Sequence, residues 1–501
     1  MDKNMNLREE TIQLLQEAGP GRMMNTAYDT AWVARLGELD KSISYQALEW
    51  VCEHQLPDGS WGASDAKYYH DRTICTLAAM TAIARRGKRA QDRLQIERGK
   101  IALENLARGA TKGLTGDPNG ATIGFELIMP TLLAEAESLG IIHNHHGHVL
   151  ERIRHQRDAK LALWKGQTIN RYMTMAFSAE MAGTDRPELF DLESLQEANG
   201  SIGYSPSATA YFAIYLRPQD PAALEYLRRS MFQGGVPNAT PFEVFERSWV
   251  LWNLALVGSL DAETLALCQP HLDFLEAAWK PGEGVRFAVG YTPTDGDDTD
   301  IAYTVLRHYG RSVGVNAIFA YEKEKHFQCF KFEVNPSIST NVHALGALRQ
   351  AGLEVDHPSI QKILKFLLET RKAEGYWFDK WHASPYYPTA HAIITLAGYQ
   401  DDLAIPAVDW LLKTQRKEGS WGSYFASAEE TAYCLQALLI WHLSGKRVPT
   451  DKIRQAVSWL EDHAGKPYPP LWIGKCLYSP ELVVHSAVLS ALLLANKTGL
   501  V

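Results

Sequence analysis

The sequence predicts an all-α protein built as two α/α barrels, and three observations carry that reading. Apolar residues recur at spacings of three and four along most of the chain, as in Ala47-Leu48-Val51-Cys52, Leu77-Met80-Ile83 and Val342-Leu345-Leu348. Alternating runs rich in β-branched residues are short and rare, while prolines and glycines fall mainly between the helical segments. A turn motif repeats: Gln55-Leu56-Pro57-Asp58-Gly59-Ser60-Trp61-Gly62 returns as Gln415-Arg416-Lys417-Glu418-Gly419-Ser420-Trp421-Gly422.

A diverged copy stands at Gln196-Glu197-Ala198-Asn199-Gly200-Ser201-Ile202-Gly203, and a weaker one at Glu374-Gly375-Tyr376-Trp377. Each copy follows one helical segment and precedes another. The glycine permits a left-handed turn, the glutamine can bond carbonyls freed at a helix end, and the tryptophan can cover the joint. Helix pairs joined this way can close into a barrel whose inner helices surround a pocket. Copies in both halves of the chain predict two barrels with a cavity at their junction.

At 501 residues the chain exceeds one ordinary domain. Hydrophobic content of 46% with 22% charged residues describes a soluble globular protein. The net charge of -8 leaves no basic surplus for a nucleic-acid partner. The segment Met1–Glu10 is too charged for the apolar core of a signal peptide, and no membrane span is predicted, so a cytoplasmic location is expected. Six cysteines without a Cys-x-x-Cys pair suggest neither a disulfide framework nor a zinc knuckle.

Chemistry concentrates in Thr294-Asp295-Gly296-Asp297-Asp298-Thr299, three carboxylates within four residues ahead of a helical pattern. Like charges this close raise the pKa of at least one partner, and a carboxylic acid kept protonated near neutral pH is a potential general acid. A helix cap would account for one or two of these residues and leave the rest of the cluster without a role. The helix macrodipole favours ionised acids at such a position, so neighbouring carboxylates and an apolar pocket must outweigh it. Fourteen tryptophans and twenty-one tyrosines, mostly core on general grounds, could also line a cavity suited to a cationic intermediate.

The repeated turn together with Asp295-Gly296-Asp297-Asp298-Thr299 resembles the class II terpene cyclases. Further landmarks match in order: Ala27-Tyr28-Asp29-Thr30-Ala31-Trp32, Gly124-Phe125-Glu126, Tyr204-Ser205-Pro206-Ser207-Ala208-Thr209-Ala210, Asp379-Lys380-Trp381-His382, Ser384-Pro385-Tyr386-Tyr387 and Leu471-Trp472-Ile473-Gly474-Lys475. This order is similar to that of the copalyl-type diterpene cyclases, especially bacterial members making tuberculosinyl (halimadienyl) or kolavenyl diphosphate. The resemblance implies a catalytic β domain formed by residues 1–20 with 256–501 and a γ domain of residues 21–255. It implies protonation-initiated, magnesium-assisted cyclisation of geranylgeranyl diphosphate with the diphosphate retained. A downstream class I synthase or phosphatase would then consume the product. The class I domain of larger plant relatives is expected to be absent, since Asp401-Asp402-Leu403-Ala404-Ile405 fails its metal motif at the last position.

Carried over residue by residue, the resemblance makes Asp297 the proton donor, with Asp295 and Asp298 tuning it and Asn341 hydrogen-bonding it. Glu126 becomes the magnesium ligand, and Lys160, Lys380 and Lys475 bind the diphosphate. Phe287, Trp381 and Trp472 become cation-stabilising aromatics. Plant ent-copalyl enzymes terminate with a histidine and an asparagine, where this chain aligns Phe177 and roughly Ala222. Neither can organise a base, which points to a rearranged halimadane or clerodane product, with unrearranged copalyl diphosphate as the alternative. Asp300 departs from the usual alanine of the motif, without an assigned reason. The run His143-Asn144-His145-His146-Gly147-His148 reads as an exposed loop. An α/α-barrel hydrolase, a helical-repeat binding protein and a zinc-dependent prenyltransferase β-subunit are the rival readings. The oligomeric state is left open.

Overall fold

The computed structural model describes residues 6–113, 121–143, 148–162, 166–184, 186–331, 333 and 335–500. Asn144–Gly147 of the histidine-rich run lie outside the described residues. Helices dominate the regular structure of the described residues, and the strands Trp472–Ile473 and Leu477–Tyr478 form a short hairpin.

The repeated turns perform the same local task in each copy. Trp61, Trp377 and Trp421 are fully buried, and each indole N–H donates to a carbonyl ten residues upstream, on Val51, Leu367 and Leu411, at 2.7, 2.9 and 2.8 Å. The backbone N–H of each tryptophan donates to a threonine hydroxyl on the next helix, Thr76, Thr389 or Thr431. Gln55, Gln196 and Gln415 each donate to the glycine carbonyl four residues on, at 2.9 Å. Gly419 adopts φ +100°, and a Cβ there would meet the Gln455 carbonyl at 2.4 Å. Glycine is therefore required both for the left-handed turn and for the close approach of the next helix. Each motif ties an outer helix to the following inner one.

Two rings of inner helices result. In the larger, Glu243–Leu256, Gly296–His308, Ile338–Gln350, Tyr386–Leu396, Ala428–Leu443 and Glu481–Thr498 each pack on the next, and the last returns to the first. The amphipathic helices Pro358–Thr370, Asp401–Thr414 and Thr450–His463 cover this ring from outside. In the smaller ring, Ala27–Ala34, Tyr69–Arg86, Phe125–Ser138, the 3-10 segment Thr174–Ala182 and Pro206–Tyr211 close in the same way. The N-terminal helix Leu7–Glu17 packs on Glu481–Thr498, so the chain enters the large barrel, builds the small one, and returns. This is the two-barrel, all-α architecture expected from the repeats.

One boundary moves. The sequence reading ends the γ domain at residue 255, but Val244, Trp249, Val250, Leu251 and Leu254 lie in the core of the large barrel. The helix Glu243–Leu256 closes the large ring, and the partition falls near residue 240. Helical periodicity fixed the helix but not the core it faces.

The hairpin of the large barrel plugs the small one. Cys476 packs in the small barrel's core, and the Leu477 N–H donates to buried Asp71 at 2.8 Å. Among the described residues, Asp71, Cys75 and Cys476 form a group with metal-ligand spacing. Both Asp71 oxygens already accept backbone N–H groups, from Ala63 and Leu477, and burial pushes both thiols up. The cluster is a hydrogen-bonded joint between barrels. No described helix is long and apolar enough to cross a membrane.

Candidate active site

The acidic motif opens an inner helix of the large barrel. Asp295 is the N-cap of Gly296–His308, and its Oδ1 accepts the N–H groups of Asp297 and Asp298 at 3.0 and 3.2 Å. The Cys329 thiol donates to the same oxygen at 3.3 Å. Burial, with the Asp297 charge adding to it, raises the Asp295 carboxyl to about 6 despite those hydrogen bonds. Asp298 is pushed well above the ordinary carboxyl range, first by burial and then by Asp295. Asp300, one turn further on and 1% exposed, is pushed up by burial and by the charges of Asp297 and Asp295, and neither of its oxygens has a hydrogen-bond partner. Asp297, at 8%, is the most exposed of Asp295, Asp297 and Asp298. Burial thus pushes the carboxyls of Asp295, Asp298 and Asp300, on either side of Asp297, toward their neutral forms.

Asp297 meets a histidine. His343 Nδ1 lies 2.7 Å from Asp297 Oδ1, and His343 Nε2 lies 2.8 Å from His391 Nδ1. Asn341, expected to touch the acid, does not. Its amide oxygen accepts the Phe327 N–H at 2.8 Å, and its nitrogen donates to the carbonyls of Phe327 and Ser337. Both Asn341 amide hydrogens and its oxygen are engaged with the loop and the helix cap, and the residue two positions on reaches the acid instead. The reason is helical phase: Ser337 caps Ile338–Gln350, and the caps and Asp379 fix which side chain faces inward.

Aromatic rings surround this pair. Trp249 sits edge-on to His343 at 5.8 Å, Phe245 stacks on Trp249 at 4.2 Å, and Tyr387 lies 4.3 Å from His391. Trp472 joins the wall against Tyr387 and Phe245, and its indole donates to Glu429 Oε1 at 2.7 Å. Glu429 also holds His382 and Tyr433, all of them buried. Phe287 belongs to an adjoining group with Tyr204, Phe242 and Tyr291, connected through Phe245. Trp381 lies apart from this wall, its ring centroid 4.7 Å from the Lys380 ammonium. Sequence reasoning found Trp472 and missed His343, His391, Tyr387 and Glu429. His343 carried no local signal, because at the helical repeat it points away from the stripe Val342-Leu345-Leu348.

Two carboxylate–lysine pairs involve the lysines expected to bind diphosphate. Glu126, in the first turn of Phe125–Ser138, pairs with Lys160, and Glu333 pairs with Lys380. Lys380 also donates to the Asn335 carbonyl at 2.8 Å. Burial lowers Lys380 to about 8, and the Lys160 charge presses the same way.

Lys475 is already fully engaged. Its side chain is fully buried, and its three ammonium hydrogens go to Glu180 Oε1, Ser205 Oγ and Ser207 Oγ, each at 2.7 Å. An ammonium has three donors and no more, so Lys475 has none left for a diphosphate. It anchors the hairpin in the small barrel. Motif position suggested a ligand, and burial makes it a joint. Half-buried Phe177 lies under that ammonium, 4.5 Å from its ring centroid, while Ala222 is exposed on Pro221–Ser230 and lines nothing here.

Comparison with known proteins agrees with this architecture. A family profile described as the squalene-hopene cyclase C-terminal domain matches residues 331–440. The chain is 45% identical to the type B diterpene cyclase of Mycobacterium tuberculosis, over 97% of this chain and 99% of that protein. It is 29% identical to a copalyl diphosphate synthase of Streptomyces anulatus, over 96% and 90% of the two chains. The solved structure of ent-copalyl diphosphate synthase from Streptomyces platensis superimposes with a TM-score of 0.78 at 29% identity, covering 98% of this chain and 99% of that one.

Proposed function

Because the chain belongs to the class II diterpene cyclases, we propose that it converts geranylgeranyl diphosphate to a bicyclic diterpenyl diphosphate, with Asp297 as proton donor. The Asp297–His343 contact inside an aromatic-lined barrel is the observation that carries this reading.

The Asp297 carboxyl gives its proton to the inner, hydrogen-bearing carbon of the distal alkene, whose π electrons form the new C–H bond and leave the charge on the dimethyl carbon. The tertiary cation left behind is attacked by the next double bond, and ring closure moves the charge along the chain. Loss of a proton from the final cation balances the first, so the reaction is an isomerisation. Protonating an isolated alkene requires a dry, oriented acid. Neutral Asp298 and Asp300 lower the local negative charge, and Asp295 fixes the backbone from which Asp297 projects. The rings of Trp249, Tyr387 and Trp472 present π faces to the migrating charge without offering a nucleophile.

Lys160 and Lys380 would grip the diphosphate, the lysines being released from Glu126 and Glu333 as the phosphates enter. Magnesium, when bound, supplies charge neutralisation for the diphosphate. Glu126 suits it as an oxygen ligand, since its Oε1 lies against Lys160 yet accepts no well-oriented hydrogen bond.

The product is a rearranged skeleton of halimadienyl or kolavenyl type. Phe177 supports this reading: it presents no base, and the ammonium beneath its ring discourages proton acceptance there. The retained diphosphate makes the product a substrate for a class I synthase or a phosphatase.

Incubation with geranylgeranyl diphosphate and magnesium, followed by phosphatase and mass spectrometry with NMR of the alcohol, tests this directly. A bicyclic alcohol that disappears in Asp297→Asn is expected. Unchanged geranylgeraniol from the wild-type chain would refute it.

A further inference from the structure

The chain of contacts from Asp297 does not stop at His343. His391 Nδ1 lies 2.8 Å from His343 Nε2, whereas His391 Nε2 is buried with no hydrogen-bond partner. The His391 ring is enclosed. It stacks on Trp252 at 4.5 Å with an interplanar angle of 23°, and Tyr387 and Tyr433 lie at 4.3 and 5.6 Å.

Each contact between ring nitrogens holds one proton, so the network admits few arrangements. In one, His391 Nδ1–H donates to His343 Nε2, and His343 Nδ1–H donates to Asp297 Oδ1. His391 Nε2 is then a bare lone pair. In the others, His343 Nε2 carries a hydrogen, either in the opposite tautomer or as an imidazolium. His391 Nδ1 must then accept, which puts a hydrogen on His391 Nε2, where a buried donor faces no acceptor. Orphaned buried N–H groups are rare and costly. The flat face of Trp252 lies against the ring, not against its edge.

We propose that His391 is a positioning residue that keeps the reactive proton on Asp297, by donating its Nδ1–H to His343 Nε2 and so barring that nitrogen from protonation. The inference rests on Asp297 being the proton donor. A histidine 2.7 Å from a carboxylic acid would ordinarily take its proton, leaving an imidazolium–carboxylate pair unable to protonate an alkene. With His343 Nε2 already occupied as an acceptor, the proton stays on the acid. Its free oxygen is the one available to the substrate, while His343 Nδ1–H stabilises the carboxylate formed after transfer. The groups facing His391 agree: burial, then the neighbouring His343 and His382, hold it well below the ordinary histidine range, so it remains neutral. Beyond those two histidines, the titratable groups around the pair are Asp297, Tyr387 and Tyr433, and both phenols are pushed up by burial.

Two variants of equal shape separate this role from simple packing. His391→Asn retains an N–H near the position of Nδ1, whereas the similarly sized His391→Leu presents no donor there. The Asn variant is expected to keep kcat within about tenfold of wild type, and the Leu variant to lose about 100-fold, with KM changing less than about twofold in both. Equal kcat in the two variants, at matched thermal unfolding, would overturn the proposal. A readout independent of turnover is side-chain NMR of the full chain with 15N-labelled histidine, assigned through His391→Asn and His343→Gln. Both rings are expected to carry hydrogen on Nδ1 alone near neutral pH. A proton on His391 Nε2, or a doubly protonated His343, would overturn the assignment. If Asp297→Asn still cyclised, the donor reading would fail first. If that variant is inactive while His391 proves Nε2-protonated, the donor stands and the lock falls.

Discussion

Lys475 and Glu180 form a fully buried ion pair, 2.7 Å long, that joins the two barrels. Glu180 Oε1 also accepts from Tyr28 and Ser207, and its second oxygen has no partner. Lys475→Met would strand that carboxylate, at a cost of about 3–5 kcal/mol in stability. Adding Glu180→Gln should recover a large part of it, because the orphaned charge is gone. Thermal and urea unfolding of the single and double variants checks this. A Lys475 variant of unchanged stability and raised KM would return the residue to the diphosphate.

Lys380 supplies a pH dependence. Its pKa falls from 10.5 to about 8, so the ammonium is charged below pH 8 and neutral above it. The grip on the diphosphate should weaken as pH rises, with KM growing up to about tenfold per pH unit above that value. Lys380→Arg, which stays charged throughout, should flatten the rise. Initial rates between about pH 7 and 9.5 decide it, and an identical rise in the arginine variant would point to another group.

Asp300 should be a cost to stability. A carboxyl whose folded pKa is raised binds its proton more tightly in the native state, so stability falls as pH climbs from about 4 toward that raised value. Asp300→Leu removes a buried acid with two unpaired oxygens, and should raise stability at neutral pH by about 1–3 kcal/mol. It should also flatten the pH dependence of the unfolding midpoint. A destabilised Asp300→Leu with normal activity would show that the carboxyl has a partner after all.

Phe177 should steer the product. Phe177→His places a base where the plant enzymes have one, and the alcohol recovered after phosphatase should shift toward the unrearranged copalyl skeleton. The ratio of products by gas chromatography and mass spectrometry is the measurement. An unaltered ratio would remove Phe177 from the argument for rearrangement.

The turn motif was legible because its chemistry is local. A glycine at φ +100°, a glutamine bonding four residues on and an indole reaching ten residues back all act within one helix joint. Reading those joints gave the helices, their pairing and the two barrels. The acidic cluster was legible for the same reason, as neighbours in sequence are neighbours at a helix start. The sequence by itself therefore determined the fold class and placed the acidic cluster, Asp297 within it, at a helix start.

Tertiary structure decided which partners that acid and its companions meet. Asn341 and His343 stand two residues apart, and only the phase of Ile338–Gln350 turns one to the loop and the other to Asp297. Lys380 and Lys475 look alike as lone cations beside aromatics, yet packing pairs one with Glu333 and seals the other between barrels with Glu180. His391 lies 48 residues from His343 in the chain, and no local spacing could couple them. Charge and protonation depend on what lies within a few ångströms, and closing the ring of helices brings those neighbours together.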